Sequence, residues 1–200
     1  MKFVMYYSLI RMEQAKKWDT FYSSTTREPF LHFSNEQIVA ILRKFPKAKS
    51  ALDVGCGEGQ VMIQLEQHGI STTGIDISSV ALAEASRNVR GTLIEGDFEK
   101  SNFPQGQHFD LIFVKFVIAF IKDVPAFFKK INALLKTGGG LILLAPVVKG
   151  PLGQASEGEE IFVEQSVLDT FVPRYFSKIK EEILHTEADR KLSLYLCTKK

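Results

Sequence analysis

The stretch Leu52-Asp53-Val54-Gly55-Cys56-Gly57-Glu58-Gly59-Gln60 decides the fold. A short apolar run ends at the first of three closely spaced glycines, and apolar Val61, Met62 and Leu65 then recur at helical spacing until Gly69. This predicts a strand, a tight turn and a helix over residues 60–68. Glycines at such a turn let the chain bend sharply and let a ligand approach the backbone with no Cβ in the way. A dinucleotide loop has the spacing G-x-G-x-x-G, whereas position 60 is Gln and the third glycine stands one residue early, at Gly59. Asp53 and Glu58 bracket the turn. Acids there oppose a pyrophosphate at the helix start and suit an amino group or a sulfonium. A nicotinamide-dependent reductase is therefore disfavoured.

Working outward, strand and helix alternate. Residues 70–77 read as a β-branched strand, Ser78 caps a helix to residue 88, and residues 91–95 form a third short strand. A loop with Gly96, Asn102, Pro104 and Gly106 leads to the strongest strand signal, residues 109–116. A helix over 123–135 starts at Asp123 with Pro125 in its first turn, and the Gly138-Gly139-Gly140 turn opens the apolar run 141–145. Continuous apolar strands, each followed by an amphipathic helix, mean a parallel sheet covered on both faces. Beyond Pro146 come a Gly/Pro/Glu-rich loop to Glu160, a helix over 161–171, and strands over 175–185 and 191–198 that close one sheet edge as a hairpin.

Two further carboxylates fall at strand ends. Asp76 lies 19 residues after Gly57, the interval at which such folds place an acid for both ribose hydroxyls. Asp97 follows the third strand and can accept an adenine amino hydrogen, with Phe98 flanking the ring. Asp53, Asp76 and Asp97 thus point into one crevice at three successive strand ends.

Length and charge narrow the rest. The 200 residues, 45% hydrophobic and 24% charged, suit one globular domain rather than two domains or a disordered chain. It divides into an N-terminal helical cap (1–50), a cofactor-binding core (51–145) and a substrate-side loop, helix and closing hairpin (146–200). The net charge of +2 averages +5 for residues 1–50, −6 for 51–110, +5 for 111–150 and −2 for 151–200. The acidic block holds the glycine turn and favours a cationic or hydroxylated ligand over a polyphosphate. The basic excess, Lys44, Lys47 and Lys49 included, reads as a solvated helix end, so no nucleic-acid partner is expected. Cys56 and Cys197 make no disulfide framework and have no metal-ligand spacing, which points to the cytoplasm and to no metal. Lys115 and Lys122 interrupt the longest apolar runs short of the ~20 residues a membrane span needs. Residues 1–10 lack the cleavage site of a signal peptide, and Met1, Met5 and Met12 are alternative starts.

The segments 52–59, Gly74-Ile75-Asp76-Ile77-Ser78, Gly96-Asp97-Phe98, Phe109-Asp110-Leu111-Ile112 and the Leu135-Lys136-Thr137-Gly138-Gly139-Gly140 turn resemble, in order and spacing, the successive motifs of class I S-adenosylmethionine-dependent methyltransferases. The resemblance covers roughly residues 13–200 and implies a three-layer, Rossmann-like α/β fold. Its seven-stranded sheet would run 3-2-1-4-5-7-6 with the last strand antiparallel. It implies S-adenosyl-L-methionine as cofactor and S-adenosyl-L-homocysteine as product. Asp53 and the backbone of Gly55, Cys56, Gly57 and Gly59 would receive the methionine end, Asp76 the ribose, Ile77 the adenine face, and Asp97 with Phe98 the adenine edge. Lys115 and Phe116 would sit beside the methionine moiety. The Trp18-Asp19-Thr20-Phe21-Tyr22 segment resembles the opening of small-molecule members, whose first helices cover the cofactor.

A sulfonium methyl is already activated, so holding an acceptor in line at about 3 Å supplies much of the catalysis. A base is needed only for an acceptor that arrives protonated, and the candidates are His32, Tyr22, Lys115 and Tyr175. His68, His108 and His185 read as structural. The chain lacks the D/N-P-P-Y/F motif of exocyclic-amine enzymes, the Pro-Cys of cytosine-C5 enzymes, and a His/Asp/Asn cluster for Mg²⁺. These absences leave a small-molecule O, N or S acceptor, with a monomer or homodimer as the assembly. Phe116, Phe120, Phe162 and Phe171 are the aromatic residues that could line its pocket. The alternative is a non-catalytic S-adenosylmethionine-binding or regulatory module of the same fold.

Overall fold

The computed structural model describes residues 14–26, 32–149, 162–187 and 190–200. The alternative starts at Met1, Met5 and Met12 and most of the loop expected before Glu160 lie outside the described residues.

The elements are α1 (Gln14–Ser23), α2 (Asn35–Lys44), β1 (Ser50–Val54), α3 (Gln60–Gln67), β2 (Ser71–Asp76), α4 (Ser79–Ala85), β3 (Thr92–Glu95) and β4 (Phe109–Lys115). After a 3₁₀ turn (Ile118–Phe120) follow α5 (Val124–Leu134), β5 (Leu135–Val148), β6 (Val163–Glu164), α6 (Gln165–Tyr175), β7 (Phe176–Glu187) and β8 (Arg190–Lys199). The sheet runs β3-β2-β1-β4-β5-β8-β7. It is parallel from β3 to β5, and β8 enters antiparallel between β5 and β7. The expected seven-strand order is present. The eighth strand is the two-residue β6, which pairs Val147 and Val148 of β5, beyond the point where β4 ends opposite Leu144.

Side chains alternate across the sheet and build a core on each face. Leu52, Val54, Ile112, Val114, Leu141 and Leu143 face α5 and α6, whose Phe127, Phe128, Ile131, Leu168 and Val172 cover them. Ala51, Leu111, Phe113, Ile142 and Leu144 face the other way, onto Ile38 and Ile41 of α2 and Val61 and Leu65 of α3. Local chemistry sets the helix starts. Ser34 and Gln37 form a capping box on α2, Ser78 accepts from Ala81 N–H at α4, and Asp123 accepts from Ala126 N–H at α5, 2.9 Å away.

Several boundaries differ from those expected. The helix after Ser78 stops at Ala85 rather than residue 88, where Ser86 Oγ donates to Ala83 O at 2.8 Å; such back-bonding competes with helix propagation. β5 starts at Leu135, with no free turn before residue 141. The buried Leu135 already pairs with Phe109, and a register shift between Phe109 and Leu111 absorbs the glycines that follow. The helix expected over 161–171 is α6, displaced to 165–175 because residues 163–164 extend the sheet.

One side chain fixes the amino-terminal edge of the sheet. Asp110 Oδ2 accepts the N–H groups of Lys49 and Ser50, both at 2.9 Å, and Ser50 Oγ at 2.8 Å. Its Oδ1 pairs with Lys136 at 2.9 Å, so β1, β4 and β5 are pinned at one point. These donors hold the Asp110 carboxyl below its usual range against the opposing effect of burial. Asp110→Ala leaves two backbone donors without this acceptor, at a cost of about 2 kcal/mol. A thermal melt should show a fall in Tm of about 4–8 °C, with Asp110→Asn closer to wild type.

Candidate cofactor and acceptor cleft

The carboxyl ends of β1, β2, β3 and β4 meet at an open cleft of about 960 Å³, the solvent at its mouth included. Ligands enter open α/β sheets here, because the strand order reverses at β1, with β2 and β3 on one side and β4 and β5 on the other. The glycine turn is the floor. Gly55 and Gly57 have φ of 70° and 53°, and the N–H of Gly55 donates to Ile75 O at 2.8 Å. A Cβ on Gly55 would run into Val117 Cγ2, and one on Gly57 would stand 2.5 Å from Tyr22 Oη. The backbone is bare where the roof comes closest.

Asp76 ties this turn to β2. Its Oδ2 accepts Gly57 N–H at 2.8 Å and its Oδ1 accepts Ser78 N–H at 2.9 Å. Burial and the nearby Asp19 raise its pKa, and the N–H groups of Ser78, Gly57 and Ile77 oppose that rise. A carboxylate offers about four acceptor positions, so these three donors leave only part of that capacity for a ligand. The roof is α1. Asp19 accepts Ser78 Oγ at 2.7 Å and Val80 N–H at 3.2 Å, while the Trp18 ring meets Phe120 edge-on at 5.1 Å.

Most residues singled out by sequence converge here. Trp18, Tyr22, His32, Gly55, Cys56, Gly57, Asp76, Ile77, Asp97, Phe98, Lys115, Phe116 and Phe120 all line the cleft. Asp53 and Gly59 are not in the lining: Asp53 is buried behind the turn, and Gly59 caps α3 with φ 79°. Asp97 Oδ1 accepts Glu99 N–H at 2.9 Å and its Oδ2 pairs with Lys100 at 3.3 Å. Phe98 is in the lining with most of its side chain covered. Its ring is 6% exposed, packed on Phe127 at 5.5 Å and covered by the Lys130 ammonium at 4.6 Å, so most of it belongs to the core. Cys56 is a buried free thiol, pushed up well above its usual range by burial and by Asp53 and Asp76.

Three expected residues are elsewhere. Tyr175 ends α6 beside Phe176, which pairs with Lys199 near the amino-terminal edge of the sheet. It is not in the cleft lining, because α6 runs from the carboxyl end of β5 back toward the start of β7. Phe171 stacks on Phe128 at 6.1 Å, and Phe162 lies under the Arg190 guanidinium at 5.1 Å. Sequence reading missed Gln14, Gln60, Glu99, Val117 and Ile121 in the lining. Glu99 also accepts the N–H groups of Lys122 and Asp123 at 3.2 and 2.9 Å, which ties the loop after β3 to the entrance of α5. A lone acid in a polar loop carries no periodic signal that would reveal this.

Charge gathers at the β1 and β4 side. Burial and Asp76 push Asp53 up to about 7, against the pull of the Lys115 cation. Burial lowers the Lys115 pKa, opposed by Asp53. His32 is lowered by burial and by the Lys115 charge, with Glu58 opposing. Phe116, next along β4, has φ 62°, a left-handed conformation that costs about 1–2 kcal/mol outside glycine. Among the described residues no group of three His, Cys, Asp or Glu side chains could hold a metal, and no helix is long and apolar enough to cross a membrane.

Residues 52–143 match the family model described as a methyltransferase domain. The match agrees with the sheet order and the glycine-acid cleft, and it takes in 92 of the 200 residues. A relative from Geobacillus sp. (strain WCH70), provisionally named a methyltransferase, is 34% identical over 62 residues, 31% of this chain and 25% of that one. The match thus spans a quarter of that relative's length. Phosphoethanolamine N-methyltransferase 2 of Haemonchus contortus, solved with S-adenosyl-L-methionine, shares the fold with a TM-score of 0.67 and 20% identity, over 82% of this chain and 52% of that one. The [4+2]-cyclase SpnF shares it with a TM-score of 0.69 and 16% identity, over 90% and 85%.

The roof and floor of the cleft can be tested against each other. Gly57→Ala forces a left-handed alanine against Tyr22 Oη and should cost about 2 kcal/mol, a fall in Tm of about 4–8 °C. Adding Tyr22→Phe removes the contacting oxygen and should return part of that loss in a double-mutant cycle.

Proposed function

We propose that the chain transfers a methyl group from S-adenosylmethionine to a small-molecule O, N or S acceptor by in-line displacement. The supporting observation is the acid-lined cleft over the bare glycine turn at the carboxyl ends of β1, β2 and β4. The residues present fit such a cofactor. Carboxylates at Asp76, Asp97 and Glu58 suit hydroxyl, amino and sulfonium groups, and the glycine backbone admits a close approach that any Cβ would block.

When bound, S-adenosylmethionine supplies a methyl group on a sulfonium that is already activated for displacement. Asp76 offers its remaining acceptor capacity to the ribose. Ile77, Phe120 and Ile121 provide apolar walls for adenine, and Asp97 accepts from its amino edge. Gly55, Cys56 and Gly57 present backbone to the methionine end, with Gly59 starting α3 behind them and Asp53 and Lys115 supplying charge. Trp18 and Tyr22 close the roof and exclude water. His32, Tyr22 and Lys115 are the groups in reach of an acceptor proton. Positioning is the main catalytic contribution, because an acceptor held in line at about 3 Å has already lost its orientational freedom.

Isothermal titration with S-adenosylhomocysteine should show saturable binding. Asp76→Asn should weaken it at least about tenfold, or ~1.4 kcal/mol, with a smaller effect on Tm. No binding by the wild type overturns the proposal. Binding without transfer of a labelled methyl group to any component of a fractionated metabolite extract would favour a regulatory module of the same fold.

A further inference from the structure

We infer that Lys115 is a resident counter-ion of Asp53 that releases its proton when a cationic ligand fills the cleft, and that its neutral amine then takes the proton of the methyl acceptor. This rests on the cleft reading above.

The geometry begins with strand register. Asp53 pairs with Phe113 across β1 and β4, and Phe113 and Lys115, two residues apart, share a face of the sheet. Lys115 therefore stands one step beyond Asp53 toward the cleft, on the same face. Phe33 packs edge-on against Phe113 at 6.0 Å, which brings the preceding His32 over this corner. The N–H of Phe116 donates to Leu144 O at 2.9 Å, and its left-handed backbone then turns the chain out of the sheet. Lys115 is left as the last strand residue of β4, in the cleft wall and partly buried. Lysine on a surface strand extends its ammonium to water; here the side chain is partly buried and feels the charge of the buried Asp53.

Asp53 from β1 and His32 before α2 are coupled to the Lys115 charge, and Tyr22, Cys56, Glu58 and Asp76 are the other titratable groups nearest it in the cleft lining. β5 offers only apolar Leu144 opposite Lys115. Asp53, buried behind the glycine turn, is the carboxylate whose charge acts on Lys115, and a cation entering the cleft comes within reach of the same charge. Two cations beside one carboxylate disfavour each other, and the desolvated ammonium is the one able to discharge. Burial already acts on Lys115 in that direction. In the transfer, the carbon–sulfur bond breaks with its electron pair remaining on sulfur, and the acceptor's O or N forms the new bond to the methyl carbon. The acceptor's proton moves to Lys115 Nζ, so the sulfonium charge lost is regained as ammonium.

The test is titration calorimetry with S-adenosylmethionine, without acceptor, at about pH 8 in buffers of different ionisation enthalpy. The wild type should release about one proton per ligand bound, and S-adenosylhomocysteine, which lacks the sulfonium charge, should release fewer. Lys115→Met and Lys115→Arg should bind without releasing protons, whereas His32→Gln and Tyr22→Phe should release them as the wild type does. Binding with no proton release in the wild type overturns the inference, as does release that survives in the Lys115 variants or is lost in His32→Gln. If Lys115→Met does not fold, Lys115→Arg, which keeps the charge and cannot discharge, decides it. Absence of binding would instead refute the cleft reading.

Discussion

The bond from Gly57 N–H to the Asp76 carboxylate is the constraint on which the site depends. It spans 2.8 Å between the turn after β1 and the end of β2, while the other oxygen of Asp76 fixes the entry to α4. The turn can hold left-handed glycines without collapsing into the cleft because this acid restrains it from the side. The same carboxylate is buried, and it remains useful to a ligand only because backbone donors offset the cost of keeping its charge there. Asp19 extends the linkage, since it holds the Ser78 hydroxyl and so docks α1 above the turn. Floor, wall and roof of the cleft therefore share one hydrogen-bonded chain.

Charge separation across the sheet follows from the same parallel architecture. Helices packed on parallel strands end near the strands' amino-terminal edge, where partial negative charge favours cations. Arg43 and Lys44 close α2 in this way, and Asp110 is balanced there by Lys136. At the opposite edge the acids Glu58, Asp76, Asp97 and Glu99 line one opening. The net charge of +2 conceals this polarity, which matters more to ligand choice than the total does.

What was legible in the sequence was what strong local chemistry dictates. The glycine turn, the caps at Ser78 and Asp123, and the strand order all follow from periodicity and backbone freedom that few other conformations satisfy. The details that escaped depend on partners distant in sequence. β5 begins at Leu135 because Phe109 is there to pair with it, and α6 is displaced because residues 163–164 find the vacant edge of β5. The ring of Phe98 turns inward because Phe127 and Lys130, on another element, enclose it. Glu99 reaches the entrance of α5 through a contact that no spacing rule encodes.

The fold alone does not determine the reaction, since one scaffold can carry several chemistries. Selection must come from side chains at the strand ends. The acids around the glycine turn set a preference for positive charge, and apolar residues after β4 give shape to the far wall. Against that background a lysine at the end of β4 is out of keeping, because it adds a cation where the other groups prepare to receive one. Its position is maintained at the cost of burial and of a left-handed bend at Phe116. Such costs persist at a site when surrounding structure over-determines them, and here the surroundings are Asp53 on one side and the last β4–β5 hydrogen bond on the other. Local expense concentrated in the wall of a ligand cleft points to chemistry rather than to folding, because a smaller apolar residue at this position would complete the strand without it.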